Sequence, residues 1–365
     1  LDVNDPLLSS IVRGALQMGA SDIHLRAGQA PFLRVMGLMG VIEAPPLSSA
    51  QVRHCLDVCA AGAGLTGTHP GEFSVDLPGL ARLRVSAFLS DGDWGLSFRL
   101  VPLTIPSFTD LRLPPVLKTL ALPRPGLVLV TGPTGAGKST TSASLLQAML
   151  QLHRLHLVTV EDPIEYRFAS PTSCITQREL GRDAASPAEA LRQAMRMDPD
   201  VIFVGEIRDD ATFELALHAA ETGICVVATM HTQSAAHTIS RICAMAKPDL
   251  QTALRERIAE ALRAIVSQRL LPRRGTTTGR VVCTEVLVNN YSLKEAIRDP
   301  ARHKAIPGLI ERGQDQGMHT FDQALLTLVG GGVVDVEVAA AFAVSPTNLR
   351  RSLQLGGASM NQDIR

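Results

Sequence analysis

The run Gly132-Pro133-Thr134-Gly135-Ala136-Gly137-Lys138-Ser139-Thr140 follows the apolar residues 127–130 and leads into a stretch with helical periodicity. Its glycines let the backbone turn tightly enough to aim successive N–H groups at phosphate oxygens. Lys138 adds a mobile positive charge for the outer phosphates, and Ser139 a hydroxyl for Mg²⁺. This is the make-up of a Walker A loop, and it implies ATP or GTP as ligand. Three further segments carry chemistry. In Asp198-Pro199-Asp200-Val201-Ile202-Phe203-Val204-Gly205-Glu206 an apolar strand delivers Glu206 to its end, where a carboxylate can orient and deprotonate an attacking water. Gly205 stands where such sites usually have Asp, so the carboxylate beside the metal must come from elsewhere. Glu161 or Asp162, in Val160-Glu161-Asp162-Pro163-Ile164-Glu165-Tyr166, can supply it from the end of a neighbouring strand. His231, in Thr229-Met230-His231-Thr232, also follows a strand and is placed to sense the γ-phosphate.

These residues need a scaffold that brings strand ends together. Strands expected at 127–131, 156–160, 201–204 and 225–229 alternate with helices at 139–151, 187–197 and 209–221. That is the pattern of an α/β fold with a buried parallel sheet, here a RecA-like P-loop core, whose ligands bind at the carboxyl ends of the strands. Ser186-Pro187-Ala188-Glu189 marks one helix start through a Ser cap, an early Pro and a Glu three residues after the cap. Upstream, a helix at 7–18, the segment Ser21-Asp22-Ile23-His24-Leu25 and strands at 32–35 and 81–87 describe a small α/β domain. Prolines crowd residues 101–117, which reads as a linker. Beyond Ala253 the chain reads as mostly helical, with a solvated tail at 356–365.

With 365 residues and 39.0 kDa the chain has room for two or three domains with real cores. No stretch approaches the roughly 18 uncharged apolar residues of a membrane span, and no basic start precedes an apolar signal core, so the expected location is the cytoplasm. The 35 basic and 35 acidic residues balance without a block of like charge, and aromatic content is only 4%, so nucleic acid is not an expected partner. Six cysteines without a Cys-x-x-Cys pair argue against a zinc site or a disulfide framework.

Taken together, the motifs resemble those of the bacterial secretion and type IV pilus motor ATPases, the GspE/PulE/PilT-like superfamily, and within it the PilT/PilU-type retraction ATPases. Residues 161–166 look like that family's Asp box, 198–206 like its atypical Walker B and Thr229 to Ala236 like its His box. Residues 21–25 match the opening of its PAS-like domain, and 317–325 resemble its late carboxy-terminal signature, in a form closer to PilU. The resemblance covers nearly the whole chain and implies a PAS-like domain over 1–100, a linker over 101–117, a RecA-like ATPase domain over 118–290, a helical region over 291–355 and a tail over 356–365. It implies ATP with Mg²⁺, the latter held by Ser139 and Glu161, and hydrolysis carried by Glu206, Lys138, Glu161 and His231. Arginines of the amino-terminal domain, here Arg84 and Arg99, are expected to reach the phosphates, since a guanidinium stays charged and donates to two oxygens at once. The expected assembly is a homohexamer working on an inner-membrane platform protein (PilC-like), peripheral at the pilus base. Two departures stand out: His231-Thr232-Gln233 within the His box, and 292–299 reading Ser-Leu-Lys-Glu-Ala-Ile-Arg-Asp in place of the PilT helix important for retraction. The second points to a PilU-like accessory motor beside a second retraction ATPase. A pilus extension or type II secretion assembly ATPase is the alternative. Such proteins usually carry a tetracysteine insertion and a longer amino-terminal region, and the sequence shows neither.

Overall fold

The computed structural model describes residues 5–35, 37–65, 70–101, 103–276 and 279–360. The chain divides into two compact units. The first runs to Ile105 and takes in the short segment Pro163–Arg167; the second holds Pro106–Asp162 and everything from Phe168 onward.

In the first unit an antiparallel sheet has the order β3-β2-β1-β6-β5-β4, with β1 Ala20–Arg26, β2 Phe32–Val35, β3 Leu38–Val41, β4 Gly71–Leu77, β5 Ala81–Ser90 and β6 Asp93–Val101. Helix α1 (Pro6–Gln17) begins with Asp5 accepting from the Leu8 N–H, with Pro6 in the first turn where no intrahelical donor is needed. Its buried residues Leu8, Ile11, Val12 and Ala15 recur at helical spacing and form one face. Helix α2 (Ser49–Gly62) opens with a capping box between Ser48 and Gln51. Both helices pack with Ile23, Leu25, Leu83, Val85, Leu96 and Phe98 into one apolar core.

The second unit is built on a seven-stranded sheet of order β13-β12-β7-β11-β10-β8-β9. Strands β7 (Gly126–Thr131), β8 (His156–Glu161), β9 (Cys174–Glu179), β10 (Val201–Val204), β11 (Cys225–Met230) and β12 (Leu262–Pro272) run parallel, and β13 (Arg280–Val288) pairs antiparallel at the edge. Every residue of β7, β10 and β11 is buried, as expected of central strands covered on both faces. The covering helices include α4 (Lys138–Leu152), α5 (Pro187–Ala194), α6 (Asp210–Glu221), α7 (Ala235–Cys243) and α8 (Gln251–Ala261), after a short α3 (Leu117–Leu120). Phe213 and Leu217 of α6, Ile239 of α7 and Ile258 of α8 meet Leu127, Ile202 and Val226 in the main core. Ser186 caps α5 through the Glu189 N–H.

The described chain beyond Ala253 is mostly helical, as expected, but it also adds two strands to the sheet that the expectation did not include, β12 and β13. Both are largely buried in the sheet and centred on short apolar runs, and a run of this kind has no periodicity that separates strand from buried helix. Helices α9 (Tyr291–Arg298), α10 (Ile306–Arg312), α11 (Phe321–Gly330), α12 (Val336–Phe342) and α13 (Pro346–Met360) follow, within the same compact unit. A smaller apolar cluster joins Leu271, Val281 and Cys283 of the β12–β13 pair to Phe321, Leu325 and Ala339. Of the tail expected over 356–365, residues 356–360 continue helix α13, and 361–365 lie outside the described residues.

Candidate nucleotide site

Strand β7 ends at Thr131 and the chain enters the glycine-rich loop with Gly132 at φ 147°, Gly135 at 78° and Gly137 at 85°, all in the range that glycine tolerates best. At Gly132 the need is steric as well, because a Cβ there would lie 2.4 Å from the main-chain oxygen of Gln268. Helix α4 starts directly at Lys138, and Gly137 offers no capping side chain, so the first-turn N–H groups near Ser139 and Thr140 face the place where an anion would sit. Lys138 is only 8% exposed. Its Nζ donates to the carbonyl oxygens of Gly132 (2.9 Å) and Pro133 (3.1 Å) and lies 3.3 Å from Nδ1 of His231.

That last contact fixes a tautomer. An ammonium has only donors, so Nδ1 of His231 must accept, and the ring proton belongs on Nε2. Nε2 lies 2.7 Å from Oε1 of Glu206, and Nη2 of Arg208 lies 2.9 Å from Oε2. Arg208 also reaches towards Asp162, 3.6 Å away. A continuous polar chain therefore runs Lys138–His231–Glu206–Arg208–Asp162 across the ends of β7, β11, β10 and β8. Partial burial pushes the Glu206 carboxyl up, but the hydrogen bond from Arg208 and the surrounding positive charges outweigh it and hold it below its ordinary value.

Gly205 brings Glu206 and β8 together. Its N–H donates to Val160 O at 2.8 Å, Thr229 Oγ1 donates to its carbonyl, and a Cβ would come within 3.3 Å of both Val160 O and Glu161 Cα. A side chain in the usual Asp position would thus crowd the end of β8, where Glu161 stands 6% exposed. Glu161 Oε1 accepts from Thr159 Oγ1 (2.6 Å) and Gln177 Nε2 (3.2 Å), which aim the carboxylate from its own strand and from β9. Ser139 and Glu161 offer hydroxyl and carboxylate oxygens, a donor set that suits Mg²⁺ and not a softer metal.

The structure thus gathers Lys138, Ser139, Glu161, Glu206 and His231 at one end of one sheet. It places Arg84 and Arg99 in the first unit, opposite each other in the β5–β6 register. Arg84 Nη2 donates to Glu72 at 2.8 Å, with Glu165 at 4.0 Å, and Arg99 Nε donates to Asp22 at 3.0 Å. Thr159, Gln177 and Gln268 escape sequence reasoning: Thr159 acts two residues along its own strand, Gln177 and Gln268 act on neighbouring segments, and only the polar side chains of Thr159 and Gln268 within mainly apolar surroundings hint at a task. Glu285 of β13 is a fourth such residue, buried and accepting from the Ala235 N–H at the start of α7 (2.7 Å), within the His-box segment. Beside the loop, a cleft of about 350 Å³ is bordered by Pro133 to Ala136, Gln233, Arg269 and Phe342.

The parallel sheet, the glycine-rich loop at the end of a central strand and the carboxylates on the adjoining strand ends define a RecA-like P-loop nucleotide-binding protein. The model of the type II/IV secretion system protein family matches residues 98–327, and the chain belongs to that family. It is 38% identical over 345 residues to the type IV pilus retraction ATPase PilT of Pseudomonas aeruginosa, covering 93% of this chain and 99% of the relative. The type IV pilus ATPase PilU of the same organism is 36% identical over 352 residues, covering 96% and 92%. A crystal structure of the pilus retraction motor PilT with bound ADP superposes with a TM-score of 0.83 at 37% identity, covering 94% of this chain and 98% of that one.

Proposed function

We propose that this protein is a motor ATPase that hydrolyses ATP to drive type IV pilus retraction. The observation that carries the reading is the polar chain from Lys138 through His231 to Glu206, laid across the mouth of the phosphate loop in a chain that matches PilT along almost its whole length. The loop N–H groups and the start of α4 bind the phosphates, and Lys138 leaves the loop carbonyls for the outer phosphate oxygens. Ser139 and Glu161 would hold Mg²⁺, which supplies charge neutralisation on the phosphates when bound. Glu206 orients the attacking water and takes its proton; His231, once Lys138 turns to phosphate, has Nδ1 available as an acceptor and still steadies Glu206 through Nε2. Arg84 and Arg99 remain the candidates for phosphate contact from the amino-terminal unit, where a guanidinium would stabilise charge in the transition state.

The working form we infer is a homohexamer acting in the cytoplasm on an inner-membrane platform protein (PilC-like), with a PilU-like accessory role beside a second retraction ATPase as its finer form. Supporting this are the motif resemblance and the absence, among the described residues, of any helix long and apolar enough to cross a membrane. Light scattering with nucleotide should report six times the 39.0 kDa chain mass; a monomer under every nucleotide condition would remove the ring. The deciding experiment is pilus retraction in cells lacking the protein or carrying Glu206→Gln. Assembled pili that no longer retract, or retract weakly under load, support the reading. Pili that are never assembled would replace it with an extension motor.

A further inference from the structure

The nucleotide reading accounts for the residues of the glycine-rich loop but not for what holds the loop in shape. Strand β12 lies beside β7 in parallel, with Ser267 opposite Thr131, and the two hydroxyls meet at 2.8 Å in a fully buried pair. The next residue, Gln268, is therefore level with Gly132, where the loop begins. Gln268 has no exposed surface, and it meets the loop at three places. Its main-chain oxygen lies against Gly132, at 2.4 Å from where a Cβ would stand. Its Nε2 donates to the carbonyl of Ala136 at 2.6 Å and passes 3.3 Å from the Cβ position of Gly137. The assignment of Nε2 follows from chemistry, since a carbonyl needs a donor.

The contact with Ala136 has a directional consequence. In a trans peptide the C=O and the following N–H point in opposite directions. With the Ala136 oxygen turned towards β12 and held there, the Gly137 N–H is turned away from the sheet, towards the concave side of the loop where phosphate binds. Gly137 makes this peptide plane easy to rotate, because without a Cβ its φ is little restricted on that side. Without the amide of Gln268 the Ala136 carbonyl would lose its buried partner, and a rotated plane that restores one to it would point the Gly137 N–H out of the cradle.

We propose that Gln268 is a positioning residue for nucleotide binding, which presets the Ala136–Gly137 peptide so that its N–H faces the phosphates. The proposal rests on the nucleotide reading above. Gln268→Met keeps the length and removes the donor, and Gln268→Asn keeps the amide but stops it short of Ala136. ADP affinity in the presence of Mg²⁺, measured by calorimetry, and the KM for ATP should each weaken about tenfold in whichever variant folds, with kcat at saturation changed less than about threefold. The unliganded melting temperature should stay within a few degrees of the parent while the ADP-induced rise in melting temperature shrinks. Ser267→Ala removes a buried hydrogen bond from the same strand pair without touching a loop carbonyl, and should lower the melting temperature while leaving ADP affinity unchanged. A folded Gln268 variant that binds ADP within twofold of the parent overturns the proposal, as does an equal loss of affinity in Ser267→Ala. Failure of the parent protein itself to bind ADP would instead strike the nucleotide reading.

Discussion

Glu206 is engaged on both carboxylate oxygens, by His231 on one and Arg208 on the other, so it is oriented before any substrate arrives. As general base it should be replaceable by Gln with little change in ATP affinity but a loss of turnover of about a hundredfold or more. A steady-state rate within a few-fold of the parent would rule that role out. Lys138 differs, because in the proposed mechanism its charge contributes to binding as well as to the transition state. Lys138→Ala should weaken nucleotide affinity and hydrolysis together, and calorimetry showing parental affinity would remove it from the phosphates. These residues were readable in the sequence since each belongs to a short local motif at a strand end. Their supports were not. Thr159 and Gln177 aim Glu161, and Gln177 does so from a neighbouring strand; Gln268 reaches Ala136 across 132 positions of sequence, and nothing local announces such a pairing.

Helix α7 shows how an element carries part of the site. It starts within the His-box segment and is capped twice, by Ser234 through the His237 N–H and by Glu285 of β13 through the Ala235 N–H. Burial pushes the Glu285 carboxyl up from its ordinary value of 4.5, with the Ala235 N–H opposing in part. A carboxyl raised in the folded state binds its proton more tightly there than in the unfolded chain. Its contribution to stability is therefore full below the ordinary glutamate value and is lost as pH rises through the raised one. Glu285→Gln keeps an acceptor for Ala235 and cannot ionise. Its melting temperature relative to the parent should climb as pH rises above the ordinary glutamate value, and a constant offset would show that Glu285 does not titrate with a raised affinity for its proton. The strand that carries Glu285 was hidden in the sequence for the same reason that β12 was. Alternating strands and helices through β11 announce themselves by their rhythm, whereas β12 starts directly after α8, β13 pairs antiparallel with it, and both interrupt their apolar runs with polar residues, so only their place in the sheet distinguishes them.

At the scale of the molecule, the RecA-like sheet and the nucleotide loop were legible because a parallel α/β core repeats one simple pattern. The division of the chain was harder to read, because it is not a matter of a single linker. Pro163–Arg167 leaves the second unit just after Glu161 and Asp162, packs with the first unit and returns. There the Ile164 carbonyl accepts from Arg82 Nε at 2.9 Å, and Arg167 lies 3.6 Å from Asp76, while Ile164 itself is fully buried. Three peptide crossings therefore join the units, and no single cut yields either one whole. A gene fragment ending at Ile105 would encode a first unit missing five of its own residues, the buried Ile164 among them, with the Arg82 guanidinium deprived of an acceptor that the rest of the gene supplies. Dissecting this protein into independently folding pieces would require the pentapeptide to be grafted back, as in a split protein reassembled from its halves.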